Sequence, residues 1–522
     1  MWEARFALRI SVLSVSSVVK TFFGSTLKMA PIPNSPHRIA ILGGGIAGLS
    51  AAWTLEKSRR ANSGTRDPLT YSLYEASGRL GGVIRSEIID GCVVEGGPDS
   101  FLSEKPAAAA LCRELGLADQ LLPSNDRERK TYILVRNRLI PLPDGLMFMV
   151  PTKLVPTLLT PLFSWSTKLH MAREFLFPPA PATEDESVAA MTRRHFGQET
   201  VDRLVSPLLS GVYGGNADQL SVRAVLPRMV TMEQKHRSLS RAMLAARKTP
   251  APPRPQSDGR PSGPRSLFTT LRDGMSQITD RLAAQLAPGS VHLSSPVESI
   301  TRQGDAWLVE TAFGRERYDA IILATPAWTA GGLLRPTHHA LGEALQSVPY
   351  SSSITVTAGY NRDDLRTLPL GFGYLVPTTE NRRMLACTFV HNKFAGRTPS
   401  DKGVLRCFLG GSGNESLLDQ TDAQLTAIVE QELADVLGLR AKPNFVRIAR
   451  WRQSMAQYGV GHLDRMQTVR EAVASLPGLA LAGNAYEGIG VPDCIRTGQQ
   501  AADAILKSLQ QKEAAPIPEA AS

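Results

Sequence analysis

Residues 38–58 read RIAILGGGIAGLSAAWTLEKS. A short apolar run, Arg38 to Leu42, passes directly into Gly43-x-Gly45-x-x-Gly48, and apolar positions at helical spacing (Ile46, Leu49, Ala52, Trp53) follow. Strand, glycine turn and helix in that order commit this part of the chain to a parallel βαβ unit that binds a dinucleotide. Gly43 makes the tight turn, Gly45 lets a pyrophosphate approach the backbone, and Gly48 lets the helix pack on the sheet. Gly44, Ile46 and Ala47 add backbone N–H groups at a helix N-terminus, where the partial positive charge favours an anion. Tyr71 to Tyr74 reads as the next strand, ending at Glu75, a carboxylate placed to accept ribose hydroxyls. The step from Gly43 to Glu75 is longer than usual, and the polar insert Arg59 to Pro68 accounts for the excess.

The rest of the composition removes competing chemistries. At 522 residues, 43% apolar and 20% charged, the chain has room for about three domains or one large interleaved unit. Five scattered cysteines without C-x-x-C, and nine histidines without H-E-x-x-H, argue against a disulfide scaffold and a metal site. The net charge of +10 is concentrated in residues 1–37 and 235–265. A tail and a loop do not make a basic groove, so nucleic acid is excluded as the partner.

A second glycine cluster follows Glu75-Ala76: Arg79, then Gly81-Gly82. This resembles the extended FAD signature of the glutathione-reductase and amine-oxidase type flavoproteins. The resemblance implies that Arg79 faces the pyrophosphate and that Gly81 and Gly82 pass under the flavin. Asp319 to Pro326 (DAIILATP), after a β-meander beginning at Val297, resembles the late strand of that type. Leu479 to Gly498 (LALAGNAYEGIGVPDCIRTG) resembles its C-terminal strand, turn and helix, with Gly483, Asn484, Gly490, Val491 and Pro492 at the flavin. Many members carry Asp where this chain has Asn484, which puts that one contact in doubt.

Four further blocks narrow the resemblance. They are Glu95 to Phe101 (EGGPDSF), Asp202 to Leu220 (DRLVSPLLSGVYGGNADQL), Gly371 to Pro377 (GFGYLVP), and Ala482 to Asp493 with its Tyr-Glu-Gly core. Over roughly residues 37–507 the chain is similar to the oxygen-dependent protoporphyrinogen oxidase family. The resemblance implies FAD as cofactor, held also by Gly97, Pro98, Asp99 and Ser100. It implies a tetrapyrrole substrate, O2 as acceptor, H2O2 as product and no obligatory catalytic side chain. By the same resemblance the backbone at Gly211 meets a pyrrole N–H, and Leu375 and Phe389 sandwich the ring. Lys130, or failing that Arg129, holds a propionate. The fold expected is α/β: a Rossmann-like FAD-binding domain interleaved with a mixed-sheet substrate domain and a helical membrane-contacting subdomain. FAD-binding pieces are expected at 38–125, 267–328 and 445–509, a helical region at 126–235 and the substrate domain at 329–444.

Residues 1–37 have the composition of a targeting leader, with Met29 as an alternative start. Leader and resemblance together imply the mitochondrial inner membrane. Residues 236–266 read as a basic Pro-rich loop and 510–522 as a tail. Leu139 to His170 is apolar but broken by prolines 141, 143, 151, 156 and 161, which forbids a continuous span. It reads as a monotopic membrane-surface patch, with a homodimer face or plain core as the alternatives. Two other functions stay open: a related amine oxidase or desaturase, and a non-catalytic flavin or tetrapyrrole carrier.

Overall fold

The computed structural model of the chain describes residues 36–62, 69–143, 146–147, 150–151, 154–248 and 266–514. The leader and most of the Pro-rich loop lie outside the described residues. Five parallel strands form one sheet in the order Val291–His292, Leu69–Tyr74, His37–Leu42, Ala320–Leu323, Leu479–Leu481. Ile39 to Leu42 lie at the centre with neighbours on both sides, which is why this strand reads as an unbroken apolar run. The helix Ile46–Ala61 leaves its end and packs on the last helix, Val491–Ala514. Gly498 permits that approach: a Cβ there would sit 2.1 Å from the Ala47 carbonyl oxygen. The first and last parts of the chain therefore build one layer. A three-stranded meander, Val297–Gln303, Ala306–Thr311 and Gly314–Tyr318, covers it through buried Trp307 and Tyr318.

A second, mixed sheet has seven strands in the order Phe445–Ala456, Tyr350–Asn361, Lys402–Gly410, Met384–Phe389, Gly373–Leu375, Thr131–Val135, Arg138–Pro141. Only Gly373–Leu375 and Thr131–Val135 run parallel. The sheet recruits strands from outside the expected substrate segment. Region 126–235, expected to be helical, opens with two of its strands. Phe445–Ala456, expected in the FAD-binding part, is its edge. Pairing partners so distant in sequence leave no local trace of which sheet a strand joins.

Helices between residues 154 and 248 form the third layer around Val188, Met191, Phe196, Leu204, Met229, Leu239 and Met243. Ser164, Ser187 and Ser221 start three of them by accepting a backbone N–H three residues on. The segment expected as loop from 236 instead contains the helix Leu239–Lys248. Its start is supplied from afar. The Glu174 carboxylate accepts the Leu239 N–H at 2.7 Å, so a buried anion sits at the helix N-terminus.

Candidate active site

The glycine turn is built as its spacing implies. Gly43 has φ +108°, and a Cβ there would lie 2.7 Å from the Ala324 carbonyl oxygen. At Gly48 a Cβ would stand 1.9 Å from the Gly43 oxygen. At Gly45, by contrast, nothing lies within 4 Å, so the space in front of it is free. No side chain caps the helix that begins at Ile46, leaving its first N–H groups to an anion. The second glycine cluster is the facing wall. The Gly81 N–H donates to the Gly44 oxygen at 2.9 Å, and a Cβ at Gly82 would lie 3.2 Å from Gly45 Cα. Glu75 accepts the Gly44 N–H at 2.7 Å and the Ser77 N–H at 2.8 Å, while Ala76 is exposed beside it. A carboxylate has about four acceptor positions, so capacity remains for a ribose hydroxyl. The Arg79 guanidinium donates to the carbonyls of Leu80, Gly82 and Ile84, so it staples the turn from within. These residues fit a dinucleotide of the FAD type.

The remaining cofactor candidates join this cradle to the mixed sheet. A Cβ at Gly97 would stand 1.7 Å from the Val83 oxygen, which seats the Gly97-Pro98-Asp99-Ser100 loop directly on the glycine wall. From the other side the sheet holds that loop by its carbonyls. Thr355 Oγ1 and Trp451 Nε1 donate to the Gly96 oxygen at 2.9 and 2.7 Å, and Arg406 donates to the Gly97 oxygen. Asn484 explains itself here: its Nδ2 donates to the Ser454 oxygen at 2.8 Å, a bond to a carbonyl that an aspartate could not make. Gly483 has φ +128°, and its N–H donates to Thr497 Oγ1. Gly490 donates to Asp493 at 3.2 Å at the start of the last helix, with Val491 buried and Pro492 at its second position. Val297, at the start of the meander, packs half-buried on the core below.

The substrate candidates separate. Gly211 and Leu375 meet, since a Cβ on Gly211 would lie 3.2 Å from Leu375 Cδ2. The helix carrying Gly211 follows a π turn at Val201–Val205, an irregularity that often marks functional sites. Phe389 is not part of this place. Leu375 pairs with Ala386, so the alternation of side chains puts Leu375, Ala386 and Thr388 on one face and Cys387 and Phe389 on the other. Phe389 is fully buried in the opposite core against Tyr374, at 6.2 Å between ring centroids. The sandwich of Leu375 and Phe389 is therefore excluded. The face that carries Leu375 carries Thr388, Arg406 and Phe408 instead. Thr388 and Phe408 are only half-buried although their strands are interior to the sheet. Further along this face a cleft of about 340 Å³ lies between Arg85, Glu95, Gly96, Thr355 and Ala449. Lys130 and Arg129 stand exposed at the start of the strand next to Leu375, with no ion pair among the described residues.

Reading the sequence alone also missed a buried charge group under the loop. Asp99 meets Lys393 Nζ at 3.0 Å and Arg406 at 3.7 Å, and Arg397 meets Glu95 at 2.6 Å. Burial raises the pKa of Asp99, but Lys393 and Arg406 outweigh it and hold the carboxyl well below the usual range. Burial pushes the Lys393 ammonium down, with Asp99 opposing.

A chain with this cradle, this loop and this sheet face is a flavoprotein oxidoreductase. Residues 46–506 match the flavin containing amine oxidoreductase family, and the chain belongs to it. Within that family it is 34% identical to a coproporphyrinogen III oxidase of Bacillus subtilis, over 90% of this chain and 98% of that protein. It is 28% identical to protoporphyrinogen oxidase 2, chloroplastic/mitochondrial, of Arabidopsis thaliana, over 91% and 95%. A crystal structure of a protein from Exiguobacterium sp. 255-15 superposes with a TM-score of 0.79 at 33% identity, over 91% of this chain and 99% of that one. A putrescine oxidase structure at 20% identity and TM-score 0.62 shares the fold.

Proposed function

We propose that the protein oxidises a porphyrinogen to the porphyrin by removing six electrons, with O2 as acceptor and H2O2 as product, in haem synthesis. One observation carries this reading: the sheet face beside the glycine cradle ends in Leu375 and half-buried Phe408, with Gly211 opposite, a wall suited to a flat apolar disc. The flavin supplies hydride acceptance and return of electrons to O2. The chain's part is to hold and orient. Leu375, Thr388 and Phe408 pack the macrocycle, and the Gly211 backbone faces a pyrrole. Lys130 and Arg129 meet propionates at the mouth, and the apolar wall excludes water.

Two substrates fit this description. Protoporphyrinogen IX is the substrate that the family resemblance of the blocks at 95–101, 202–220, 371–377 and 482–493 implies. Coproporphyrinogen III is favoured by the names of the relatives at 31–34% identity. Turnover of purified holoprotein with each porphyrinogen, reading porphyrin fluorescence and peroxide together, tests both. Porphyrin and peroxide near one to three with either substrate supports the reading. Intact flavin with no porphyrin from either overturns it in favour of amines or polyenes.

The proposal includes a membrane surface. Leu159, Trp165, Leu169 and Phe177 are 72–78% exposed on two adjacent helices and the turn after them, and Lys168 Nζ lies 4.7 Å over the Trp165 ring. Apolar tips on a helix that also exposes Arg173 suit a lipid interface. Among the described residues no helix is long and apolar enough to cross a membrane. The mitochondrial address has support from residues 1–37 and from plant relatives, while the relatives at 31–34% identity are bacterial.

A further inference from the structure

The charges buried under the Gly97–Ser100 loop do not balance. Arg397 and Glu95 close on each other: Nη1 and Nη2 reach Oε1 at 2.8 and 2.6 Å, and Glu95 also accepts the Ser86 hydroxyl and the Met275 N–H. Lys393 and Arg406 are then left to share the single carboxylate of Asp99. Lys393 lies 4.6 Å over the Phe268 ring and 5.0 Å over Phe394, an apolar surround rather than a wet one. Arg406 is 4% exposed, and its Nε has no partner. Two cations on one buried anion leave a positive charge uncompensated by any ion pair among the described residues. Holding it out of water carries a desolvation penalty that an apolar side chain at 393 would avoid.

The position of this surplus gives it a use. Asp99 and Ser100, which bond Lys393, belong to the loop seated on Val83. Val83 adjoins Gly82, and Gly82 faces Gly45 of the phosphate cradle. The cations therefore border the path a dinucleotide takes from the cradle toward the sheet face. We infer that Lys393, with Arg406, is a built-in counter-charge for negative charge on the flavin ring, and that Asp99 sets how much of it the flavin feels. Lys393 is on this account a positioning residue that acts through the field, without touching substrate. The inference rests on the flavin alone and not on the porphyrinogen reading.

Sulfite is the probe, because its sulfur lone pair bonds to flavin N5 and the negative charge passes into the ring. Holoprotein is titrated anaerobically with sulfite, following loss of flavin absorbance. Lys393→Met should weaken sulfite binding by about tenfold or more, the effect of removing one buried counter-charge. Lys393→Arg should restore it. Asp99→Asn, which frees both cations, should move it the opposite way and tighten it. A structural role predicts that both substitutions loosen the loop and shift affinity in the same direction. Equal-signed shifts, or unchanged affinity in Lys393→Met, would overturn the inference, as would Lys393→Met losing its flavin while Asp99→Asn keeps flavin and binds sulfite more weakly. Opposite shifts in a protein that turns over no porphyrinogen would keep the inference and sink the proposed reaction.

Discussion

The phosphate cradle and the mixed-sheet face meet at Gly97, yet they are specified in different ways. The cradle comes from two short stretches, 43–48 and 75–82, held by close backbone fit and by the side chains of Glu75 and Arg79 bonding to backbone groups. The face is assembled from Leu375, Thr388, Arg406, Phe408 and Trp451 on four strands, and cation–carboxylate pairs and a tryptophan N–H fix it to the loop. At Gly43 and Gly48 such a cradle tolerates no added atom. A face of side chains tolerates replacement on the site side and fails when its rear packing is lost.

The largest effects should come from glycines, and two of them separate fold from cofactor. Gly48→Ala puts a methyl against the Gly43 carbonyl oxygen at 1.9 Å, with Ala324 Cβ 3.3 Å away. It should yield no flavin-loaded protein and no cooperative melt. Gly45→Val faces open space. It should melt normally without cofactor but retain no flavin absorbance, since its side chain fills the place of the pyrophosphate. A flavin-loaded Gly45→Val protein would show that the cradle has been misplaced.

Two phenylalanines test the face. Phe389→Ala empties the opposite core and should cost about 3–5 kcal/mol in denaturant melts, with little change in KM of the surviving protein. Phe408→Ala should leave the melt nearly unchanged and raise KM for porphyrinogen by about tenfold, because the macrocycle no longer has an aromatic ring to pack against. The reverse pattern would return Phe389 to the site.

Which parts could be read from sequence follows from the same contrast. G-x-G-x-x-G and Glu75 are legible from local spacing, and Gly81-Gly82 from the family resemblance, because each lies within one short stretch of chain. Phe389 and Thr388 are neighbours, and choosing between them needs the pairing of Leu375 with Ala386, which no local pattern encodes. Lys393 and Arg406 carry no motif, and their significance appears only when Asp99, far earlier in the chain, is folded between them. The helix Leu239–Lys248 was hidden for a related reason, its starting cap being Glu174.

The helical layer has its own buried charges, and there pH is the lever. His195, fully buried, gives Nδ1 to Glu174 at 3.0 Å and Nε2 to Glu233 at 2.8 Å, and Arg194 adds a bond to Glu233. Burial lowers the His195 pKa, but the two carboxylates outweigh it and raise it above 6.5. Burial raises Glu174 and Glu233, and their partners outweigh it and bring both below 4.5. The imidazolium stabilises fully below about pH 6.5 and loses this as pH rises through the raised value. The carboxylates stabilise above about pH 4.5 and lose this as pH falls through the lowered values. Stability from this triad should therefore be greatest between those limits. His195→Gln should cost about 3 kcal/mol there and flatten the alkaline limb. An unchanged alkaline limb would assign the pH dependence elsewhere.

The smallest effect on stability should come from the exposed apolar helices of the same layer. Leu159→Ser, Trp165→Ser and Leu169→Ser together remove side chains that are 72–78% exposed and support little of the core. Such surface changes fall within about 0.5 kcal/mol each, so the melt and the flavin spectrum should hold. Flotation with anionic lipid vesicles should be lost in the triple variant and retained by the parent. The apolar tips supply the insertion energy, and exposed Arg173 beside them supplies the attraction to the headgroups. If instead the parent fails to float but sediments as a dimer, and the triple variant as a monomer, the patch is an interface between two copies of the chain. An interior role would show as a fall in melting temperature, and the exposure of Trp165 and Leu169 argues against it.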